Sequence, residues 1–539
     1  MGGICGSKFH SLWQAALQER PPDPSGAAGS LVHAMGTCLG VETVEFDRVG
    51  PVALFLLDLS SLGFKGMDVN VVMISHPPAS EEEARQFADL ITDYKHAVKS
   101  VGFCFHLVLQ WDPPAPNPYI SSYVDLIYLC GQDLERLAHS EVPASVLFAT
   151  IRRQAPLQRL CPFNTTREAR GGMFRGRKRE LDRLMHDRST HYVVTGARRI
   201  GKTSLLRRAA DALRTNREMA DRVFYFDCSI WGDFYDCARR LTHTLDARRE
   251  LRIEESHRNL SYLLERLSYK GKRPLLLFLD ECDRLVDYES QTQWPFLRAL
   301  HEAASYNHVR LTFAGFRSVA SLAQGSERLS TYGSPFDRSL ERLELSPLTP
   351  SETEGLLCDP LRSVDILLRD REAMAHRVQK SSAGHPFLVQ FYGERLFQRA
   401  VERDPQEATL DDVEAIEGGF ELSDFLLKHF LNNTMERGEP QVEEQICTLL
   451  LAHADAPHGW TEQDFWQACQ RYIPGLSLNT VHRSLANLFH ARVLHYENGR
   501  YTFTFPLMCR ALRQNYPHIE ALVAGMRSFL RLDSPENLA

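Results

Sequence analysis

Two short segments carry residue types that act together on a phosphate chain. The first is Val193-Val194-Thr195-Gly196-Ala197-Arg198-Arg199-Ile200-Gly201-Lys202-Thr203-Ser204-Leu205-Leu206. A strand-like run enters Gly-x-x-x-x-Gly-Lys-Thr and a helix-like run leaves it, the context a phosphate-binding loop requires. Gly196 and Gly201 permit backbone conformations that turn successive N–H groups toward one phosphate chain. The cradle is expected to comprise Gly196, Ala197, Arg198, Arg199, Ile200, Gly201, Lys202, Thr203 and Ser204, and the helix that follows adds the positive end of its dipole. Lys202 reaches β- and γ-phosphates, and the Thr203 hydroxyl is suited to Mg²⁺. The second segment, Leu275-Leu276-Leu277-Phe278-Leu279-Asp280-Glu281, is an apolar run ending in two carboxylates. Such a run suits a strand buried on both faces of a parallel sheet. Ligands of these sheets sit at the carboxyl ends of the strands, where Asp280 and Glu281 fall. Asp280 is expected to hold Mg²⁺ directly or through water, and Glu281 to orient and activate a water. Together the segments predict binding of a nucleoside triphosphate.

The elements that must position these residues are spread over a long chain. At 539 residues it exceeds one compact core, so three or four domains are expected. Its 43% hydrophobic and 24% charged residues are ordinary for globular protein. A formal charge of −7 argues against a dominant nucleic-acid or acidic-membrane surface. No apolar run is long enough to span a bilayer, and the start lacks a charged-then-apolar leader. The twelve cysteines form no Cys-x-x-Cys pair or His/Cys metal cluster, so reduced core thiols in a cytoplasmic protein are expected. Met1-Gly2-Gly3-Ile4-Cys5-Gly6-Ser7 nearly matches an acylation signal, but its hydroxyl residue falls one position late.

Along the chain, residues 1–40 read as a flexible arm, with a Pro/Gly/Ser-rich linker at 20–30. Residues 41–160 read as an α/β unit: strands Val52–Leu59, Val69–Ser75, Gly102–Trp111 and Val124–Cys130, helices at Ser80–Ser100 and Gln132–Gln154, and a mostly parallel sheet. Asp58, Asp112 and Asp125 at strand edges read as solvated turn carboxylates, so a sensing, docking or inactive effector module is the default. Residues 161–350 hold the phosphate-loop core, with further strands at Val223–Cys228 and Val309–Ala314. Residues 351–440 turn helical. In 441–515, helices precede Val493–Tyr496 and Arg500–Phe505 around Asn498-Gly499, the strongest short hairpin signal, which reads as a winged helix. Residues 516–539 are a tail. The expected fold class is thus α/β multidomain, with a P-loop NTPase (ASCE/AAA-like) parallel core.

With these pieces located, residues 160–515 resemble the STAND family, signal-transduction ATPases of the bacterial and archaeal type related to AAA+ proteins. Met173-Phe174-Arg175-Gly176-Arg177 leading to Glu180-Leu181 looks like its hydrophobic-Gly-Arg motif, although Lys178 stands where many relatives are acidic. Gly196–Ser204 resembles its arginine-containing loop, Asp280-Glu281 its acidic strand, and Gly384-His385-Pro386-Phe387 its Gly-x-Pro motif. The resemblance implies that Gly176 and Arg177 face the nucleotide, that Pro386 contacts its base, and that Arg317 is a sensor for the γ-phosphate. Arg338 and Arg342 are weaker candidates for an arginine finger acting in trans. It also implies an ADP-off, ATP-on switch, slow hydrolysis, and self-association or a protein partner. Signal sensing is expected to fall to residues 41–160, to the winged helix or to a separate partner. A DNA-acting ATPase of the origin-recognition kind shares the same order of parts. However, Val442–Asn515 has about as many acidic as basic residues, and Ser477–Leu488 offers only His482 and Arg483. DNA is therefore not the favoured partner.

Overall fold

The computed structural model describes residues 11–19 in part, 26–39, five strands within 43–129 and, with gaps, residues 125–245, 274–323, 334–432 and 459–515. Contacts divide the chain into two units. One comprises Met1–Arg175, Glu354–Ala375 and Val389–Asp412; the other comprises Gly176–Thr353, His376–Leu388 and Val413–Ala539.

The first unit holds β1 (Thr43–Val49), β2 (Val52–Asp58), β3 (Asp68–Ile74), β4 (Phe105–Leu109) and β5 (Asp125–Leu129), hydrogen-bonded in that order. β2 pairs antiparallel with β1 and β3, whereas β3/β4 and β4/β5 are parallel. The expected mostly parallel sheet is therefore mixed. The cause is loop length: a parallel pair needs a crossover of a dozen or more residues, and the β1–β2 and β2–β3 connections are shorter than that. The expected helix at Ser80–Ser100 lies largely outside the described residues, as does Asp112. The linker reading of 20–30 is also corrected, because a helix starts inside it, at Ala27–Leu39, and buries Leu31, Val32 and Met35. The Glu19 carboxylate accepts hydrogen bonds from the N–H groups of Ala27 and Ala28 at its first turn. Later in this unit Phe163 is buried, and a Cβ on Gly393 would lie 2.2 Å from its ring, so glycine is required there.

The second unit is built on β6 (His191–Gly196), β7 (Val223–Asp227), β8 (Leu275–Asp280), β9 (Val309–Ala314) and β10 (Leu340–Leu345). Their order is β10-β6-β9-β8-β7 and every pairing is parallel. Residues of β8 and β9 are buried throughout, as strands covered on both faces must be. Crossovers include the helices Lys202–Arg214, Phe234–Leu245 and the pair Asp283–Gln291 and Pro295–Ser305. Val194 pairs with Ala314, Leu279 with Phe313 and Asp280 with Asp227, so the strand ends form one level edge. With β9 interposed, the ends of β6 and β8 stand two strand spacings apart, roughly 10 Å. The buried Arg310 of β9 donates to the carbonyls of Leu184 (2.7 Å) and Asp187, ending the helix Lys178–His186.

Helices follow at Pro350–Ser363, Arg371–Ser382, Pro386–Ala400, Leu410–Gly418 and Phe420–Leu426, the last running into a π-helical turn, Leu427–Asn432. Near the C-terminus, helices Glu462–Tyr472 and Leu478–His490 precede strands Leu494–Glu497 and Arg500–Phe503. Asn498 and Gly499 both have positive φ, which makes this the expected two-residue hairpin turn. Trp460 bridges to Tyr501 along the hairpin's edge, and a helix spans Pro506–Asn515. The first helix expected after Val442 lies outside the described residues.

Nine cysteines among the described residues are free thiols, six of them buried. No described helix is long and apolar enough to cross a membrane.

One buried carboxyl tunes stability. Glu289 is fully buried; its Oε2 accepts from the N–H groups of Phe296 (2.8 Å) and Leu297 (3.0 Å), capping Pro295–Ser305, while Oε1 has no partner among the described residues. Burial raises its pKa from 4.5 to about 7. A raised folded-state pKa means that the unfolded chain releases the proton first, so stability present below the unfolded value is lost as pH rises through the folded one. Glu289→Gln removes this titration. We expect the variant's melting temperature, relative to wild type, to rise from about pH 5 to about pH 8, and a pH-independent difference would refute the assignment.

Candidate functional site

The level edge of the second sheet gathers the residues singled out by their types. After β6 the chain turns through three positive φ values, at Gly196 (149°), Arg199 (60°) and Gly201 (104°). Ile200 N donates to the Ala197 carbonyl (3.3 Å), and the next helix begins at Lys202, with Leu205 N on the Gly201 carbonyl (3.0 Å). Lys202 is buried, and its Nζ donates to the carbonyls of Gly196 (3.2 Å) and Ala197 (3.0 Å). Burial pushes its ammonium below the usual range, against the pull of Glu281, Asp283 and Asp280. Thr203 and Ser204 occupy the first helical turn, Ser204 buried and Thr203 half-buried.

β8 delivers Asp280, buried, to the same edge. Its Oδ2 accepts from the hydroxyl of Tyr225, in the middle of β7 (2.7 Å), and its Oδ1 accepts from Glu281 N (3.0 Å). Each oxygen keeps a second lone pair. Glu281 itself has φ 53°. Burial first, and then the neighbouring Asp280, raise the Glu281 carboxyl above the ordinary carboxylate range.

Asp283, unassigned by sequence reasoning, joins the acidic strand end to the turn after the neighbouring β9. Its Oδ2 accepts from Phe316 N (2.6 Å) and its Oδ1 from Ser318 N (2.8 Å) and Val319 N (3.3 Å). It thereby ties down the turn after β9 on both sides of position 317. Arg317 lies outside the described residues, and so does Arg338. Arg342 projects from β10, where its Nε donates to Thr195 Oγ1 (3.1 Å) and it pairs with Glu344 (3.5 Å). That side chain is engaged within the sheet rather than extended as an arginine finger.

Both flanking motifs touch the loop. Gly176 has φ 70°, and the buried Arg177 donates from Nη2 to the Ile200 carbonyl (3.2 Å); Lys178 opens the next helix. Downstream, His385 Nε2 lies 3.1 Å from the Arg198 carbonyl, Pro386 starts a helix, and the Arg199 guanidinium sits 4.2 Å from the Phe387 ring centroid.

Residues 185–322 match the AAA domain family. With the loop, the parallel sheet and the acidic strand end in place, the chain carries an AAA-like P-loop ATPase domain. No curated protein matches the chain in sequence. Among solved structures the chain is similar to the Walker-type ATPase PABY2304 of Pyrococcus abyssi (16% identity, TM-score 0.49, covering 65% of this chain and 99% of that one). It is also similar to the Aeropyrum pernix Orc1 protein in complex with DNA (13%, TM-score 0.36, 65% and 94%). A third is the Thermotoga maritima RuvB Holliday junction branch migration motor (17%, TM-score 0.34, 64% and 95%). At these scores the similarities carry no conclusion about this chain.

The residues that sequence reasoning left out, Tyr225, Asp283 and His385, act by contact with distant segments. Only His385 carried a signal, lying within the Gly-x-Pro segment. Replacing Asp283 with Ala strips three N–H groups of the AAA-like domain of their acceptor. We expect a loss of roughly 1–3 kcal/mol in chemical denaturation, and an unchanged unfolding free energy would refute the role.

Proposed function

We propose that the chain is an ATP-binding, slowly ATP-hydrolysing nucleotide switch of the STAND kind, ADP-off and ATP-on, acting through self-association or a protein partner. One observation carries the reading. The ammonium of Lys202, held on the loop carbonyls of Gly196 and Ala197, shares its electrostatic surroundings with Asp280, Glu281 and Asp283 at a single sheet edge. Such an arrangement neutralises transferred phosphate charge on one side and handles a water on the other.

In this reading Gly196, Ala197, Arg198, Arg199, Ile200, Gly201, Thr203 and Ser204 cradle the phosphates through backbone N–H groups and hydroxyls. Lys202 pairs with β- and γ-oxygens, which compete with the two carbonyls for its ammonium. Glu281 accepts a proton from the attacking water as its oxygen bonds the γ-phosphorus and the β,γ-bridging oxygen leaves with ADP. Gly176, Arg177 and Pro386 line the nucleotide side, and Arg317 senses the γ-phosphate. Thr203 and Asp280 are hard oxygen donors with lone pairs to spare, of the kind Mg²⁺ takes, and would hold it. Its charge would offset that developing on the phosphoryl oxygens. The six-segment division at 40, 160, 350, 440 and 515, with a winged helix at 441–515, belongs to the same reading. The described helices and the Asn498-Gly499 hairpin support that module.

The DNA-acting alternative gains nothing from the described contacts. His482 pairs with Glu462, and Arg500 donates to the Gly459 carbonyl, so these basic groups are engaged within the module.

The reading is tested by extracting nucleotide from the purified chain and measuring ATP turnover beside Lys202→Ala and Glu281→Gln. Retained ADP and slow turnover are expected, with Glu281→Gln lowering the rate about 10²-fold or more while still binding ATP. Because Glu281 must be ionised to act as base, turnover should rise with pH through its raised pKa, and the residual rate of Glu281→Gln should not. Absent nucleotide together with DNA-stimulated turnover would transfer the assignment to the DNA-acting class. Tyr225→Phe removes a hydrogen bond from Asp280 Oδ2 and is expected to shift the Mg²⁺ concentration for half-maximal turnover by about three- to tenfold. An unaltered Mg²⁺ titration would argue against Asp280 as a metal ligand.

A further inference from the structure

His385 lies in the segment read here as facing the nucleotide base, yet its ring is spent on something else. It is buried, and its one hydrogen bond among the described residues joins Nε2 to the Arg198 carbonyl, 3.1 Å away in the phosphate loop. A carbonyl only accepts, so Nε2 carries the proton and donates, which leaves Nδ1 as a lone-pair acceptor. Nδ1 is buried and has no partner among the described residues. Burial, with the neighbouring Arg177, Lys202 and Arg199 adding to it, pushes the pKa down to about 3, so the ring is neutral throughout the working range. No charge interaction is therefore available to hold it.

What holds the other face of the ring is aromatic. Phe430, in the π-helical turn Leu427–Asn432, meets it edge to face at 5.0 Å, and Phe505, one residue before the helix Pro506–Asn515, does so at 5.8 Å. Phe430 and Phe505 pack on each other at 4.7 Å, and both are buried. Phe505 lies two residues past the hairpin's second strand, and the Val493 carbonyl accepts from Thr504 N at the hairpin's base (3.0 Å). One neutral ring thus touches the phosphate loop with its polar edge and the C-terminal helix–hairpin module with its apolar face.

Its placement is rigid on the backbone side. Gly384 has φ 69°, its carbonyl accepts from Leu348 N (2.8 Å), and a Cβ there would lie 2.3 Å from the Leu348 carbonyl. With its backbone held there, a shift of the Arg198 carbonyl would tilt the ring, and a tilt would change the surface offered to Phe430 and Phe505. Edge-to-face pairs depend on such orientation.

We propose that His385 is a positioning residue that transmits the state of the phosphate loop to the Phe430–Phe505 pair, and through it to the module ending at Asn515. This rests on the nucleotide-switch reading and supplies its missing connection. A ligand shifts a conformational equilibrium only through contacts that differ between the states, and the Arg198 carbonyl is a contact of that sort: it belongs to the loop but is read from outside it.

The test is hydrogen–deuterium exchange of the full chain, with ADP or with ATP and Mg²⁺, each at saturation for the variant concerned, read over 427–432 and 500–515. In the wild type, ADP and ATP are expected to differ by about threefold or more in exchange across 500–515. His385→Phe keeps a ring for Phe430 and Phe505 but has no N–H for Arg198, and should abolish that difference. His385→Gln restores a donor and should recover part of it. Phe505→Leu breaks the other end and should abolish it as well, which carries the test should His385→Phe fail to fold. A wild-type response retained in either variant overturns the proposal. A wild type that binds nucleotide but shows no response over 500–515 overturns it while leaving nucleotide binding intact. A wild type that binds neither nucleotide overturns both.

Discussion

A phosphate loop aims its N–H groups inward, so its carbonyls must find partners outside. Unpaired buried carbonyls are costly, and the loop can exist only where the surrounding chain supplies donors. Here the donors come from different places. Lys202 takes the Gly196 and Ala197 carbonyls, Arg177 takes Ile200, and His385 takes Arg198. The positive φ values at Gly196, Arg199 and Gly201 and the close approach of Gly196 to the Leu345 carbonyl follow from the same tight reversal. Much of the second unit can be understood as scaffolding for these donors.

The acidic side is arranged differently. Asp280 is held by a hydroxyl of the neighbouring β7 and by the next peptide, whereas Asp283 spends its carboxylate on the turn after β9. Three carboxylates within four residues are therefore held in three ways: Asp280 by a hydroxyl and a peptide N–H, Glu281 by burial that raises its pKa, and Asp283 by the backbone it clamps. Their separation follows from geometry, since residues after a strand end diverge as the backbone bends, here through φ 53° at Glu281.

The loop and the acidic strand were legible in the sequence because their signals are local: glycine spacing in one, an unbroken apolar run in the other. The Asn498-Gly499 hairpin was legible for the same reason. β10 was not, since Leu340-Glu341-Arg342-Leu343-Glu344-Leu345 mixes charges with apolar residues and is specified by pairing with β6 far upstream. Strand direction in the first unit was misread because an apolar run says nothing of its neighbour's sense, and only the lengths of the connections did. The helix Ala27–Leu39 hid behind a Gly/Ala/Ser-rich start. In the site, the partners of His385 and Asp283 lie 187 and about 33 residues away, beyond any local pattern.

The donors of the loop's carbonyls also bear on how this ATPase domain could be cut. The stretch recognisable as an AAA domain is 185–322, but Arg177 precedes it and His385 follows it by some sixty residues. A fragment trimmed to the recognisable stretch would keep the glycines, the lysine and both acidic residues. It would lose the donors that brace Arg198 and Ile200 from behind, and with them the shape of the cradle. A fragment that keeps every one of these donors therefore runs from Arg177 to His385, well beyond the recognisable stretch on both sides.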